Sequence, residues 1–285
     1  MKKGISFALI ATLLVGCGSS NTVNYSTEVT DGDKTIISGD DVEITKNDIY
    51  YYILEQYGSS EILTLALTYI ADQEITDEQQ IQAGIDEQVA SYTESLTMSF
   101  EDYAKQSGYE SSQEYIDDVI TDGVKQNLLL KKYIDENYDD LLDEYKVKYI
   151  KTITLDTESA ALSIIDQVKN GSDFDTLMSA NSGSDNGMVT TDSSSIDKNI
   201  IDKLDKFKKD GIYNKVIKTS DSKYAVVYVY NTDKTNLESE IKENLTSLSD
   251  ISTKMETHYL RKYNFDVYEE ALKDEIEETN EDYFG

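Results

Sequence analysis

Apolar residues recur every three to four positions over the first half of the chain, the spacing that places them on one face of an α-helix. Ile49, Ile53 and Tyr57 make the first such series, with Thr45 and Asp48 ahead of it as a capping box and Ile44 set to staple onto Ile49. Gly58 predicts the end of this helix, and a second apolar helix is expected over Ile62–Ile70. Thr76-Asp77-Glu78-Gln79 opens the next, whose face is Ile81, Ile85, Val89, Tyr92 and Leu96. Ser99 to Gly108 reads as a short capped helix. Ser111-Ser112-Gln113-Glu114-Tyr115 starts another, continued by Ile116, Ile120, Val124 and Leu128 toward Tyr133. Up to about Tyr145 the pattern is helical.

At Val147 the period changes. Lys148-Tyr149-Ile150-Lys151-Thr152-Ile153-Thr154-Leu155 alternates polar and apolar with β-branched residues, which predicts a strand. A helix follows from about Glu158 to Lys169, with Ala161, Ile164, Ile165 and Val168 on its buried side, and Asn170-Gly171 stops it. A short helix near Phe174–Met178, a loop over Asn181–Gly187 and a helix over Ile196–Phe207 come next, and strands at Tyr213–Lys218 and Tyr224–Tyr230 close the unit. Beyond Asp233 the helical period returns with Leu237, Ile241, Leu245, Leu248 and Leu260, and the end from Asp266 to Asp282 is acidic. The class this order predicts is α+β.

The first residues belong to a different kind of segment. Lys2 and Lys3 precede an apolar run from Ile5 to Val15 that is too short to span a bilayer, and Leu14-Val15-Gly16-Cys17 ends it. Bacterial lipoprotein signals have this form, in which the cysteine becomes the acylated first residue of the mature chain. Cys17 is the only cysteine, so no thiol remains for a disulfide, a metal site or catalysis. The expected location is extracytoplasmic, on the outer face of the membrane of a cell of Gram-positive type, where each buried acyl methylene contributes about 0.8 kcal/mol. The polar stretch that follows reads as a spacer.

The formal charge of -30 becomes about -32 once Lys2 and Lys3 are removed with the leader. An excess of this size argues against nucleic acid, repels phosphate and anionic headgroups, and favours basic or unfolded secreted chains. Proline is absent, so helices can run long, and the aromatic content rests on 22 Tyr beside 6 Phe and no Trp.

Helical segments flanking an α+β unit behind a lipoprotein signal resemble the PrsA-type extracytoplasmic foldases, relatives of the SurA chaperone. Ile44-Thr45-Lys46-Asn47-Asp48-Ile49-Tyr50 is similar to that family's entry into its first helix, and Phe100 to Tyr109 to its next conserved segment. Ala160 to Leu177, with Asn170-Gly171-Ser172-Asp173-Phe174 at its centre, resembles the parvulin pattern of helix, glycine turn and helix. Asp210 to Val216 resembles its turn into a late strand. The resemblance implies a helical chaperone domain built from N- and C-terminal segments, with an inserted parvulin-like domain, an FKBP-like β-sheet plus helices. The boundaries expected are 1–16 leader, 17–40 flexible linker, 41–147 N-terminal helical part, 148–232 parvulin-like domain and 233–285 C-terminal helical arm.

The family's activity is peptidyl-prolyl cis-trans isomerisation, but the two parvulin histidines fall near Thr152 and Ala225, and the acidic or thiol position falls at Ser184 or Asp185. Met188, Ile196, Ile200, Phe207 and Tyr224 are the residues expected to line a peptide-binding groove. Isomerisation crosses a barrier of about 18–20 kcal/mol without breaking a covalent bond, so an apolar slot can grip a chain while the missing imidazoles cost it catalysis. The resemblance therefore implies a chaperone for unfolded or nascent secreted proteins, with the active isomerase as an alternative and a solute-binding lipoprotein as a further one. Pairing of two copies through the helical parts stays open. No cofactor is expected. Asp31-Gly32-Asp33 and Ser184-Asp185-Asn186-Gly187 hint at calcium, yet neither continues into a twelve-position loop, so no metal site is assigned. His258, among Lys254, Glu256 and Arg261, reads as a surface residue and not as the base of a triad.

Overall fold

The computed structural model describes residues 29–284, so Cys17 and the leader lie outside it. In chain order the regular elements are β1 (Thr35–Ser38), β2 (Glu43–Thr45), α1 (Lys46–Glu74), α2 (Glu78–Ser95), α3 (Phe100–Gln106) and α4 (Ser112–Tyr115). A π-helical turn at Ile116–Ile120 leads into α5 (Thr121–Glu136), α6 (Tyr138–Glu144), β3 (Lys148–Leu155), α7 (Glu158–Lys169), α8 (Phe174–Ala180) and β4 (Ser184–Val189). Then come α9 (Lys198–Ile201), a 3-10 turn at Leu204–Lys206, β5 (Gly211–Ile212), β6 (Ile217–Lys218), β7 (Tyr224–Tyr230), α10 (Glu238–Leu245), α11 (Ile251–Lys262) and α12 (Glu270–Thr279). Among the described residues no helix is long and apolar enough to cross a membrane. The chain forms two compact units, 29–63 with 266–282, and 64–265 with 283–284.

In the first unit β1 and β2 form an antiparallel hairpin closed by Gly39 N donating to Val42 O at 2.8 Å. The end of the linker expected over 17–40 is therefore strand, with Thr35, Ile37 and Ser38 paired to Thr45, Ile44 and Glu43 and Ile36 at a register shift, while 17–28 lie outside the described residues. The capping box forms as expected, with Thr45 N donating to Asp48 Oδ2 at 2.7 Å and Asp48 N to Thr45 Oγ1 at 3.3 Å. Gly58 does not end the helix. α1 runs through it, and the bare backbone there lets α12 approach, since a Cβ at Gly58 would lie 2.8 Å from Leu272 Cδ2. The expected apolar face is left uncovered: Ile49, Ile53 and Tyr57 are exposed, as are Tyr52 beside them and Ile36, Ile37 and Val42 on the hairpin.

In the second unit, α5 is the central helix, in contact with α2 on one side and with α10 and α11 on the other, so segments before and after the sheet pack together. α2 and α5 come close at Gly84, where a Cβ would sit 2.6 Å from Val124 Cγ1. Around Ile85, Ala104, Tyr115, Ile120 and Val124 a cluster gathers the rings of Tyr92, Phe100, Tyr103 and Tyr109. Glu74, at the end of α1, accepts from Lys132 Nζ and Lys262 Nζ at 2.5 Å each and from Tyr263 OH at 3.0 Å, which fastens α5 and α11 to it. Burial pushes the Glu74 carboxyl up, but these donors outweigh it and hold its pKa at about 2.

The sheet runs in the order β4-β3-β7-β5, with β6 also on β7, and every pairing is antiparallel. β3, α7, α8 and β7 stand where the alternation and periodicity predict them. Three expectations are corrected. Asn181–Gly187 is not all loop, since Ser184–Val189 is the edge strand β4, bulged where its register shifts between Ile150 and Lys151 of β3. The helix expected over Ile196–Phe207 is one turn, α9, followed by the 3-10 turn, because Ile200, Leu204 and Phe207 must all reach the sheet within a short span. Of the strand expected over Tyr213–Lys218 only the last two residues are strand, as β6, while β5 lies just before the expected start.

Candidate functional site

Strand alternation gives the sheet two faces with different coverings. On one, Ile153 and Val226 pack against Ala161, Ile164 and Ile165 of α7 and Phe174 of α8, with Tyr224 and Tyr228 beside them. On the other, Ile150, Val189, Ala225, Val227 and Val229 pack against Ile200, Leu204, Phe207 and Ile217. The β3–β7 register sets Thr152 opposite Val227 and Thr154 opposite Ala225, so these threonines share the second face.

A cleft of about 1060 Å³ opens there. Its floor is Thr152, Thr154, Ser184 and Asn186, with Thr152 Oγ1 donating to Asn186 Oδ1 at 2.9 Å. Gly183 brings β4 in: a Cβ there would lie 2.5 Å from Thr152 O and 2.7 Å from Met178 Cγ. One wall is Thr191 to Lys198 together with Ile200 and Ile201, and the other is Thr219 to Asp221. Asp197 joins the walls, accepting from Asn199 N at 2.9 Å as the cap of α9 and from Ser220 N at 2.8 Å across the mouth. Burial pushes the Asp197 carboxyl up, but Ser220 and Asn199 outweigh that and leave it below the ordinary carboxylate range. At the rim, Thr219 Oγ1 donates to Asp221 Oδ1 at 2.6 Å and lowers that carboxyl too.

The expected groove residues divide between the faces. Ile196 and Ile200 line the cleft. Phe207 is buried beneath it, edge-on to Tyr213 at 5.1 Å. Tyr224 and Met188 are on the other face: Tyr224 packs with the α7 cluster, and Met188 pairs with Tyr149, one residue out of step with Ile150 and Val189. A two-residue period separates each from the cleft, which is the correction to the groove as read from sequence. Of the positions where the resemblance would set catalytic groups, Thr152 and Ser184 reach the cleft, while Ala225 is fully buried on the same face. Thr154 was legible as the alternation partner of Thr152, and Asp197 as the residue capping a helix; Ser193–Ser195 carried no signal.

No imidazole and no aromatic ring stands among the residues that line this cleft. His258 is exposed on α11, its ring 5.4 Å from Tyr133 and 4.9 Å from Tyr259. Hydroxyls and amides on the floor supply hydrogen bonds, and the carboxylates of Asp192, Asp197, Asp202 and Asp221 stand along the walls. Among the described residues no group of three or more His, Cys, Asp or Glu is placed to hold a metal ion.

The fold defines a class: an α+β chain in which helices before and after a small antiparallel sheet pack together, with the sheet itself covered by its own short helices. Within that class the chain has the PrsA-like fold. It aligns with the peptidylprolyl isomerase PrsA from Bacillus cereus over 88% of its own length and 99% of that chain, with a TM-score of 0.51 at 18% identity. PrsA from Bacillus subtilis aligns over 85% of this chain and 98% of its own at 18% identity, and the foldase protein PrsA from Streptococcus pneumoniae over 86% and 98% at 17%, with TM-scores of 0.40 and 0.39. No protein-family model and no curated protein matches the sequence, so the likeness speaks for fold alone.

Proposed function

We propose that this chain is an extracytoplasmic, lipid-tethered chaperone of the foldase type, which holds unfolded secreted polypeptides and whose parvulin-like module, 148–232, has little or no isomerase activity. The observation that carries the reading is the cleft itself. The two strand positions that resemble the parvulin histidine sites are Thr152 and Ala225, and the floor between them is hydroxyl and amide. Speeding prolyl isomerisation requires a ring grip and donors matched to a twisted amide, and here Ile196 and Ile200 offer apolar contact without that frame. The uncovered stripe of Ile49, Tyr52, Ile53 and Tyr57 on α1 supports client binding, because exposed apolar surface of this kind takes up unfolded chain. The Leu14-Val15-Gly16-Cys17 signal supports the tether.

Two assays test it together. The purified chain is expected to suppress aggregation of a refolding secreted protein at stoichiometric ratio, and to leave the rate of a protease-coupled prolyl peptide assay at its uncatalysed value. No protection at any ratio overturns the chaperone reading. Acceleration that is lost in Ile200→Ala makes the isomerase the better description.

A further inference from the structure

The negative charge is not spread evenly. From Lys198 to Lys218 the sequence holds seven lysines and three aspartates, a local reversal in a chain of net charge -30. The structure gathers part of this segment into a second cleft of about 300 Å³, behind the wall of the first, where Lys203, Lys215 and Lys218 stand with Asn199, Asp202 and Tyr213. Asn199 is fixed there by Nδ2 donating to Lys218 O at 2.9 Å. None of the three lysines has an ion pair among the described residues, although acids outnumber bases by 56 to 26. The positive field continues past the 3-10 turn. Burial lowers the Lys148 ammonium, and Lys234 and Lys208 lower it further, with Asp143 and Asp205 opposing them. Three exposed lysines without an ion pair around one recess, in so acidic a chain, make a local positive patch suited to an anion.

We propose that the cleft of Lys203, Lys215 and Lys218 binds the phosphate of anionic lipid headgroups and so seats this module on the bilayer. Three flexible ammonium groups around a small recess suit a tetrahedral phosphate, which takes point charges from several directions. Asp202 in the same recess leaves the three lysines in excess there, and acids beyond about 8 Å are screened at physiological salt. This revises the reading from net charge, under which headgroups are repelled. It deepens the tethered-chaperone reading, because a tether keeps such a cleft at high effective concentration near headgroups.

The test uses the chain from residue 18 onward, unacylated, with vesicles of phosphatidylglycerol and phosphatidylcholine or of phosphatidylcholine alone. Sedimentation with the anionic vesicles only, falling steeply as salt rises, is expected. Lys203→Gln/Lys215→Gln/Lys218→Gln together should weaken it about a hundredfold, at about fivefold per lysine. Lys34→Gln/Lys131→Gln/Lys169→Gln, the same charge change at exposed lysines elsewhere, should weaken it far less. Equal sedimentation with both vesicle types, or equal loss in both triple variants, overturns the proposal. So does binding of soluble glycerol phosphate at Lys203–Lys218 without any vesicle binding, which makes the ligand a free phosphate. Client protection is measured on the same samples: its loss with vesicle binding intact sinks the chaperone reading alone, and the converse sinks this site alone.

Discussion

The two faces of the sheet obey the same alternation and end in opposite conditions. Under α7 and α8 the face is closed by aliphatic side chains and Phe174, which stacks on Tyr228 with centroids 4.9 Å apart. On the other, the apolar floor is continuous only as far as Ile150, Val227 and Ala225, and beyond it Thr152 and Thr154 meet solvent in the cleft. Both faces hold core, and only the part of the second that opens into the cleft is free to vary in chemistry. Thr152 and Thr154 meet the strand's need for β-branched residues as well as valine would, so hydroxyls can stand in this cleft without weakening the sheet.

Breaking the closed face should cost most. Phe174→Ala empties a site only 4% exposed and is expected to destabilise the protein by about 3–5 kcal/mol, measured by urea unfolding. A loss no larger than that of a cleft substitution would end the contrast between the faces. Asp197→Asn, at the mouth of the open face, should cost about 0.5–1.5 kcal/mol at pH 7, because it weakens the link from α9 to Ser220. Its folded carboxyl titrates below the unfolded value of 3.8, so its stabilisation is present above that pH and is lost as pH falls through the folded value. The difference between wild type and Asp197→Asn is thus expected to shrink below about pH 4 in unfolding measured across pH. Smallest of all, Thr152→Val should cost about 0.5 kcal/mol, since it removes the one bond from Thr152 Oγ1 to Asn186 Oδ1 while keeping the side-chain shape. It should leave the rate of the prolyl peptide assay unchanged, and a drop in that rate would mean that the cleft works as a catalyst after all.

How much of this could be read beforehand depends on how locally each feature is decided. The Thr45–Asp48 box, β3, α7, α8 and β7 are written in spacing and caps within a few residues of themselves, and they formed where expected. Gly58 misled because its stop signal is a local propensity of about 1 kcal/mol, outweighed by the approach of Leu272 from more than two hundred residues away. The short pieces around Ser184 and Ile217 misled for the same reason. They are strands only because β3 and β7 offer partners.

The groove shows the limit most clearly. Residue type alone suggested Met188 and Tyr224 as well as Ile196 and Ile200, and only the register of β4 and β7 on β3 decides which side each takes, since a single step along a strand reverses it. By itself the sequence determined the α+β class and the acidic balance, because composition and period are properties of the string. The tertiary structure alone decided which hydroxyls share a cleft and which lysines stand together unpaired, because those are distances between segments that no local pattern encodes.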